Sequence, residues 1–173
     1  SASTTTSSAA QTAGYSTGTS EEFLVNTSYG IGEQNYSAVT GLTDGGYVVT
    51  WASYGQDSSY DGIFGQVYGV SGVPSGEMFQ INTETYREQD VPAITSLNDG
   101  GFVVTWQSRY QDTGGSDYGI YGQRYDASGN TAGGEFLVNT HTGGYQYYPS
   151  IASLSDGGFI VTWRDDKGSD HDG

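Results

Sequence analysis

The sequence predicts an all-β fold of four-stranded antiparallel blades, arranged as a β-propeller that forms part of a ring or of an open repeat array. Three observations carry the prediction. A unit returns along the chain: Asp44-Gly45-Gly46-Tyr47-Val48-Val49-Thr50-Trp51 reappears as Asp99 to Trp106 and as Asp156 to Trp163, with the tryptophans 55 and 57 residues apart. Asp-Gly-Gly between apolar runs is hairpin chemistry, because Asp and Gly tolerate the positive φ of tight turns. No segment carries the 3.6-residue apolar period of a helix. The alternative arrangement of the same strands is a solenoid of β-meanders.

The elements follow in order. Residues 1–20 are rich in Ser and Thr and read as a flexible arm or linker; a glycosylated stalk or an arm onto a neighbouring subunit are the alternatives. Residues 21–173 form the repeat domain, in units 21–76, 77–134 and 135–173, the last incomplete. Strand a of each unit is Phe23 to Thr27, Phe79 to Thr83 or Phe136 to Thr140. Strand b, from Pro92 to Leu97 in the second unit, has small side chains suited to the crowded axis of a radial assembly. Strand c, Phe102 to Trp106, places apolar or β-branched residues on both faces, so it is expected between two other layers. Strand d, Ile120 to Tyr125, has Gly122 in its interior (Gly65 in the first unit), which marks a close backbone approach. With b innermost, a blade runs b-c-d-a and Phe23 to Thr27 is an orphan strand a.

Composition removes whole classes. The 173 residues hold 20 acids against 5 Lys and Arg, a formal net charge of −15. Nucleic-acid binding needs the opposite balance. No apolar run is long enough for a helical membrane span, and the absence of cysteine excludes disulfides and thiolate sites.

Candidate site residues fall into three groups. Acids cluster in the c–d loops, where oxygen ligands on a bent backbone suit calcium: Asp57 and Asp61, Asp112 and Asp117, Asp166 and Asp170. Trp51, Trp106 and Trp163 read as packing between blades, or as one sugar-stacking platform per repeat. Gln34, Gln89 and Gln146 satisfy backbone groups or contact a ligand. Tyr145, Tyr147 and Tyr148 would add to a sugar-binding surface, and Asp44, Asp99 and Asp156 read as turn formers. No enzyme is expected: His141 and His171 do not recur, no Gly-x-Ser-x-Gly or phosphate loop occurs, and acids repeated in every unit do not make one asymmetric active site.

The segments Gly134 to Thr140, Ser155 to Trp163 and Gly119 to Asp126 resemble the tandem repeats of very large bacterial surface and exported proteins, often linked to type I secretion and repeats-in-toxin segments. The likeness spans about residues 21 to 173. It implies an extracellular or cell-surface location and a structural or adhesive role, with self-association or other surface proteins as partners. The calcium nonapeptide of repeats-in-toxin segments is absent from this chain. A carbohydrate-binding propeller with one site per repeat is the alternative function.

Overall fold

A computed structural model describes residues 11–12, 23–26, 32–112 and 118–166. Among these no helix is long and apolar enough to cross a membrane, and the regular structure is strand alone. The strands are β1 (Gln11–Thr12), β2 (Phe23–Leu24), β3 (Gln34–Gly41), β4 (Tyr47–Tyr54), β5 (Asp61–Tyr68), β6 (Phe79–Gln80), β7 (Gln89–Ser96), β8 (Phe102–Arg109), β9 (Tyr118–Tyr125), β10 (Phe136–Leu137), β11 (Tyr145–Ser153) and β12 (Phe159–Asp166).

Two complete blades run β3-β4-β5-β6 and β7-β8-β9-β10, all antiparallel. The hairpin β11-β12 supplies the b and c strands of a third. It touches the second blade's sheet through one parallel pairing, Tyr145 with Tyr118. The pair β1-β2 forms a two-stranded sheet of its own, paired with neither larger sheet, so residues 11–12 of the expected arm are a strand. Among the described residues no sheet closes on itself.

The b–c turns form as the Asp-Gly-Gly sequence dictates. Gly101 N–H donates to Asp99 Oδ1 at 3.0 Å, and Leu97 N–H donates to Gly101 O at 2.8 Å. Asp44 and Asp156 accept from Gly46 and Gly158 in the same way. Gly100 sits at φ +88°, and a Cβ on Gly101 would lie 2.3 Å from Tyr125 O. Two glycines are required there for different reasons, one dihedral and one steric.

Blades stack through the faces of strand c. Val48, Ala52 and Ile63 of the first blade, with Ile81 beyond it, meet Phe102, Val104, Trp106, Tyr121 and Tyr125 of the second. Strand β8 is buried on both faces, as its pattern required. Each enclosed large apolar side chain contributes about 2–3 kcal/mol from area alone. The outer face of the first blade, Val49, Trp51, Phe64 and Tyr68, is covered by Phe23 and Val25. The short a strands serve as lids: Phe79 packs on Tyr125 at 5.4 Å between ring centroids, and Phe23 on Tyr68 at 5.9 Å. The Phe136 ring crosses Gly122 so closely that a Cβ there would lie 2.8 Å from Cζ.

Strand b is longer than the sequence suggests. It starts three residues before Pro92, at Gln89, and carries a bulge: Asp90 faces Gln107 and Ala93 faces Thr105, so one extra residue sits on the inner strand. Val91 takes φ 53°, and Tyr36 and Tyr148 take φ 54° and 53° at the matching positions. A β-branched residue at positive φ is strained, and the strain recurs in all three units.

Candidate functional site

The repeated glutamines explain how the bulges are held. Asn82 follows strand β6 and reaches back and forward at once. Its Oδ1 accepts the Ile63 N–H of the first blade at 2.7 Å. Its Nδ2 donates to Glu84 O at 2.7 Å and to Gln89 Oε1 of the second blade at 3.1 Å. Gln89 Nε2 then donates to Tyr86 O at 3.0 Å. Asn139 repeats the arrangement with Ile120 N–H (2.7 Å), His141 O (2.9 Å) and Gln146 Oε1 (3.3 Å). Asn26 Nδ2 donates to Gln34 Oε1 at 2.6 Å. Gln34, Gln89 and Gln146 are therefore buried struts whose amides already have protein partners. The matching asparagines were visible in the sequence only as part of strand a.

The tryptophans are equally enclosed. Trp51 and Trp106 have no exposed surface, so neither offers a face to a sugar. Trp163, on β12, is half-buried.

The expected calcium ligands are spread out. Asp57 accepts the Ser59 N–H at 3.0 Å and shapes the β4–β5 turn. Asp112 is half-buried in the loop after β8, and Asp166 ends β12 in contact with Arg164 at 3.5 Å. Asp117 and Asp170 lie outside the described residues. Among the described residues no three acidic or histidine side chains converge to hold a metal ion.

Asp61 leads instead to a different cluster, at the end of the blades where strands b and d begin and strand c ends. Burial raises its carboxyl above the usual range, and Glu88, Glu33 and Asp57 add repulsion. Its neighbour Asp90, on the bulge of β7, is pushed up to about 6, first by burial and then by the charges of Asp61 and Glu88, against a hydrogen bond from Gln107 that works the other way. Asp90 Oδ1 is fully enclosed and has no hydrogen-bond partner. Gln107 bridges onward, its Oε1 accepting the Tyr148 N–H of the third blade at 3.0 Å.

Around this carboxyl stand a cation and a row of tyrosines. Arg109 Nη1 lies 3.1 and 3.3 Å from the two carboxylate oxygens of Glu88. The Arg109 guanidinium also lies over the rings of Tyr110 (5.0 Å) and Tyr118 (5.7 Å). Tyr118 packs on Tyr147 at 5.2 Å, and Tyr147 stacks on Tyr145 at 5.6 Å. Burial, then the Asp90 and Glu88 charges, push the Tyr118 phenol up to about 12, so it stays a hydroxyl. Tyr148 and Tyr110 are exposed at the rim.

None of these residues recurs as a set. Strand register aligns Asp90 with Asn35 and Tyr147, Arg109 with Tyr54 and Asp166, Gln107 with Ala52 and Arg164, and Tyr118 with Asp61. The cluster is asymmetric although its scaffold is repeated. Positions where aligned repeats disagree were the sequence signal for it. A search for recurring residues passes over them.

No protein-family model matches the chain, and no curated protein matches it. Solved structures do. An endo-arabinase from Bacteroides thetaiotaomicron superposes with a TM-score of 0.52 at 13% identity, covering 76% of this chain and 51% of that one. An α-L-arabinofuranosidase from Lactobacillus brevis gives 0.53 at 12% identity, covering 87% and 51%. A thermostable family-43 glycoside hydrolase gives 0.52 at 9%, covering 84% and 53%. The chain thus spans about half the length of the structures it matches. At these identities the likeness is one of fold, and it supports the propeller-like reading of the blades. It also corrects the expectation that the chain is no enzyme. Enzymes are built on this fold, and an asymmetric cluster on a repeated scaffold removes the argument from recurrence.

Proposed function

We propose that the chain is the carbohydrate-recognising part of an extracellular β-propeller, and that it takes a glycan at the Asp90–Arg109–Tyr118 cluster. The observation that carries this reading is the asymmetric grouping of a raised carboxyl, a carboxylate-paired guanidinium and packed tyrosine rings at one end of the blades. Sugars present C–H faces to aromatic rings and hydroxyls to planar charged groups, and this cluster offers both. Asp90 keeps its proton to about pH 6, a property that suits a carboxyl acting as acid on a glycosidic oxygen. The names of the fold's neighbours make arabinan and arabinose oligosaccharides the first ligands to try. The extracellular setting comes from the resemblance of the repeats to surface and exported proteins.

Isothermal titration against arabinan, xylan and a glycan array tests the reading, with reducing-sugar release measured in parallel. Saturable binding is expected, weakened about tenfold in Tyr118→Ala, as loss of one aromatic contact worth about 1–1.5 kcal/mol requires. Binding that is absent for every glycan, or indifferent to Tyr118 and Arg109 substitutions, would refute it.

A further inference from the structure

We propose that the sugar taken at this end of the blades is acidic: a uronic-acid residue whose carboxylate is received by Arg87, over the rings of Tyr86 and Tyr110. The inference rests on the glycan reading above and names the class of sugar.

Backbone strain is the first argument. Arg87 takes φ 73° and Tyr110 φ 59°, in the left-handed region that glycine adopts freely and other residues rarely. Glycine is what the other units carry there. Counted from the strand b glutamine, Gly32 and Gly144 match Arg87, at φ 113° and 77°. Counted from the strand c tryptophan, Gly55 matches Tyr110, at φ 74°. The third unit's match to Tyr110, Lys167, lies outside the described residues. The scaffold thus needs a positive φ at these places, and glycine supplies it without strain. The second unit instead puts two large side chains there and sets one against the other. Both belong to a complete blade, β7-β8-β9-β10. Strain kept where the same chain holds a relaxed alternative points to a function rather than to the scaffold.

The guanidinium is the second argument. Arg87 Cζ lies 4.9 Å from the Tyr86 ring centroid and 5.5 Å from that of Tyr110. Arg109 Cζ lies 5.0 Å from the same Tyr110 ring. Two cations therefore share one tyrosine in a chain that has only five Lys and Arg. Arg109 is paired with Glu88. Arg87 has no ion pair among the described residues, and its enclosed Nε has no acceptor. The acids beside it in sequence are engaged elsewhere: Glu84 Oε1 accepts the Tyr86 N–H at 2.8 Å, and Glu88 faces Arg109.

An enclosed N–H without an acceptor is costly, and a guanidinium is a planar fork of donors that matches a carboxylate at two points. The carrier segment is already fixed. Glu84 O accepts from Asn82 Nδ2 and Tyr86 O from Gln89 Nε2, so little order remains to be imposed on binding. A uronic acid offers the carboxylate for Arg87 and a C–H face for the tyrosine rings in one residue.

The test is calorimetric titration of the whole chain at about 0.15 M salt, where fields beyond roughly 8 Å are screened. The probes are a trigalacturonate, its methyl ester, a sulfated neutral trisaccharide and an arabinotriose. The acid should bind about tenfold more tightly than its ester, as a charge-assisted contact requires. Arg87→Gly should erase that preference while its urea midpoint stays equal to the parent's or rises, because glycine relaxes the φ. Arg87→Lys, a charge without the fork, should keep only part of the preference. Acid and ester binding alike, or a preference that survives Arg87→Gly, overturns the uronate assignment and leaves the glycan reading standing. Sulfated sugar binding as tightly as the uronate overturns the carboxylate assignment in favour of charge alone. Binding of none of the four overturns the glycan reading itself, and the uronate site with it.

Discussion

Replacing Asp90 by Asn should stabilise this protein at neutral pH and remove most of its stability loss between pH 4 and 6. The carboxyl is held at about 6 in the folded chain against 3.8 for the free group. Each unit of such a difference is worth 1.36 kcal/mol, so ionising Asp90 in place costs about 2–3 kcal/mol. Its folded value is raised, so the folded state binds more protons between the two values and stability falls as pH rises through that window. Above about pH 6 the whole penalty is present, and below 3.8 it is gone. Asn keeps an oxygen to accept from Gln107 and carries no charge at any pH. The carboxyls of Asp99 and Asp126 are lowered by hydrogen bonds, led by the Gly101 and Asn130 backbone N–H groups respectively, and their effect lies below pH 3.8, outside the window. Asp61 shifts the same way as Asp90 and leaves a residual slope. The assay is urea unfolding followed by tryptophan fluorescence at pH 4.5, 5.5, 6.5 and 7.5 on both chains. An Asp90→Asn chain no more stable than the parent at pH 7.5, with the same slope below it, would refute the electrostatic account of the cluster.

Three further outcomes follow from the packing. Asn82→Ala leaves the buried Ile63 N–H without its acceptor and frees Gln89, and should cost about 1–3 kcal/mol in urea unfolding; Thr85→Ala, in the adjoining exposed loop, should cost nothing measurable. Gly122→Ala drives a methyl into the Phe136 ring and should lower stability by about 1–3 kcal/mol, while Gly41→Ala, which meets nothing within 4 Å, should not introduce a clash. Trp106→Ala opens a cavity between the first and second blades and should cost about 3–5 kcal/mol. A loss below about 1 kcal/mol there would mean that the blades do not depend on that interface.

The blades were legible in the sequence because their determinants are local and repeated. Asp99-Gly100-Gly101 encodes a turn through its own dihedrals and its own side-chain oxygen. Val103 and Val104 announce burial on both faces through strand alternation alone. The glycine in strand d announced that something crosses it, though not that the something is Phe136. What escaped depends on contacts between units. Pro92 hid the bulge, since a proline near the start of an apolar run suggests where a strand begins. The latch pairs residues seven apart in sequence, Asn82 with Gln89, across a linking segment with no periodicity to reveal it. The candidate site escaped for a related reason. The candidate ligands that the sequence offers are residues that recur in each unit, and in a repeat protein recurrence marks the scaffold. Asp61 was found among the acids of a c–d loop, but its partners Glu88 and Asp90 lie on the next blade. Only the stacking of blades brings them together.

The Asn82 and Asn139 latches also bear on how the molecule comes apart. Most hydrogen bonds here close hairpins between sequence neighbours, a pattern that would let each blade fray alone. Each latch asparagine instead holds an amide of one blade with the same side chain that grips the glutamine of the next. A blade cannot release its outer strand without loosening the glutamine at the start of its neighbour's inner strand. The chain should therefore yield as a cooperative whole under heat or mechanical load, and slow amide exchange at Ile63 and Ile120 would report that the blades are clasped together.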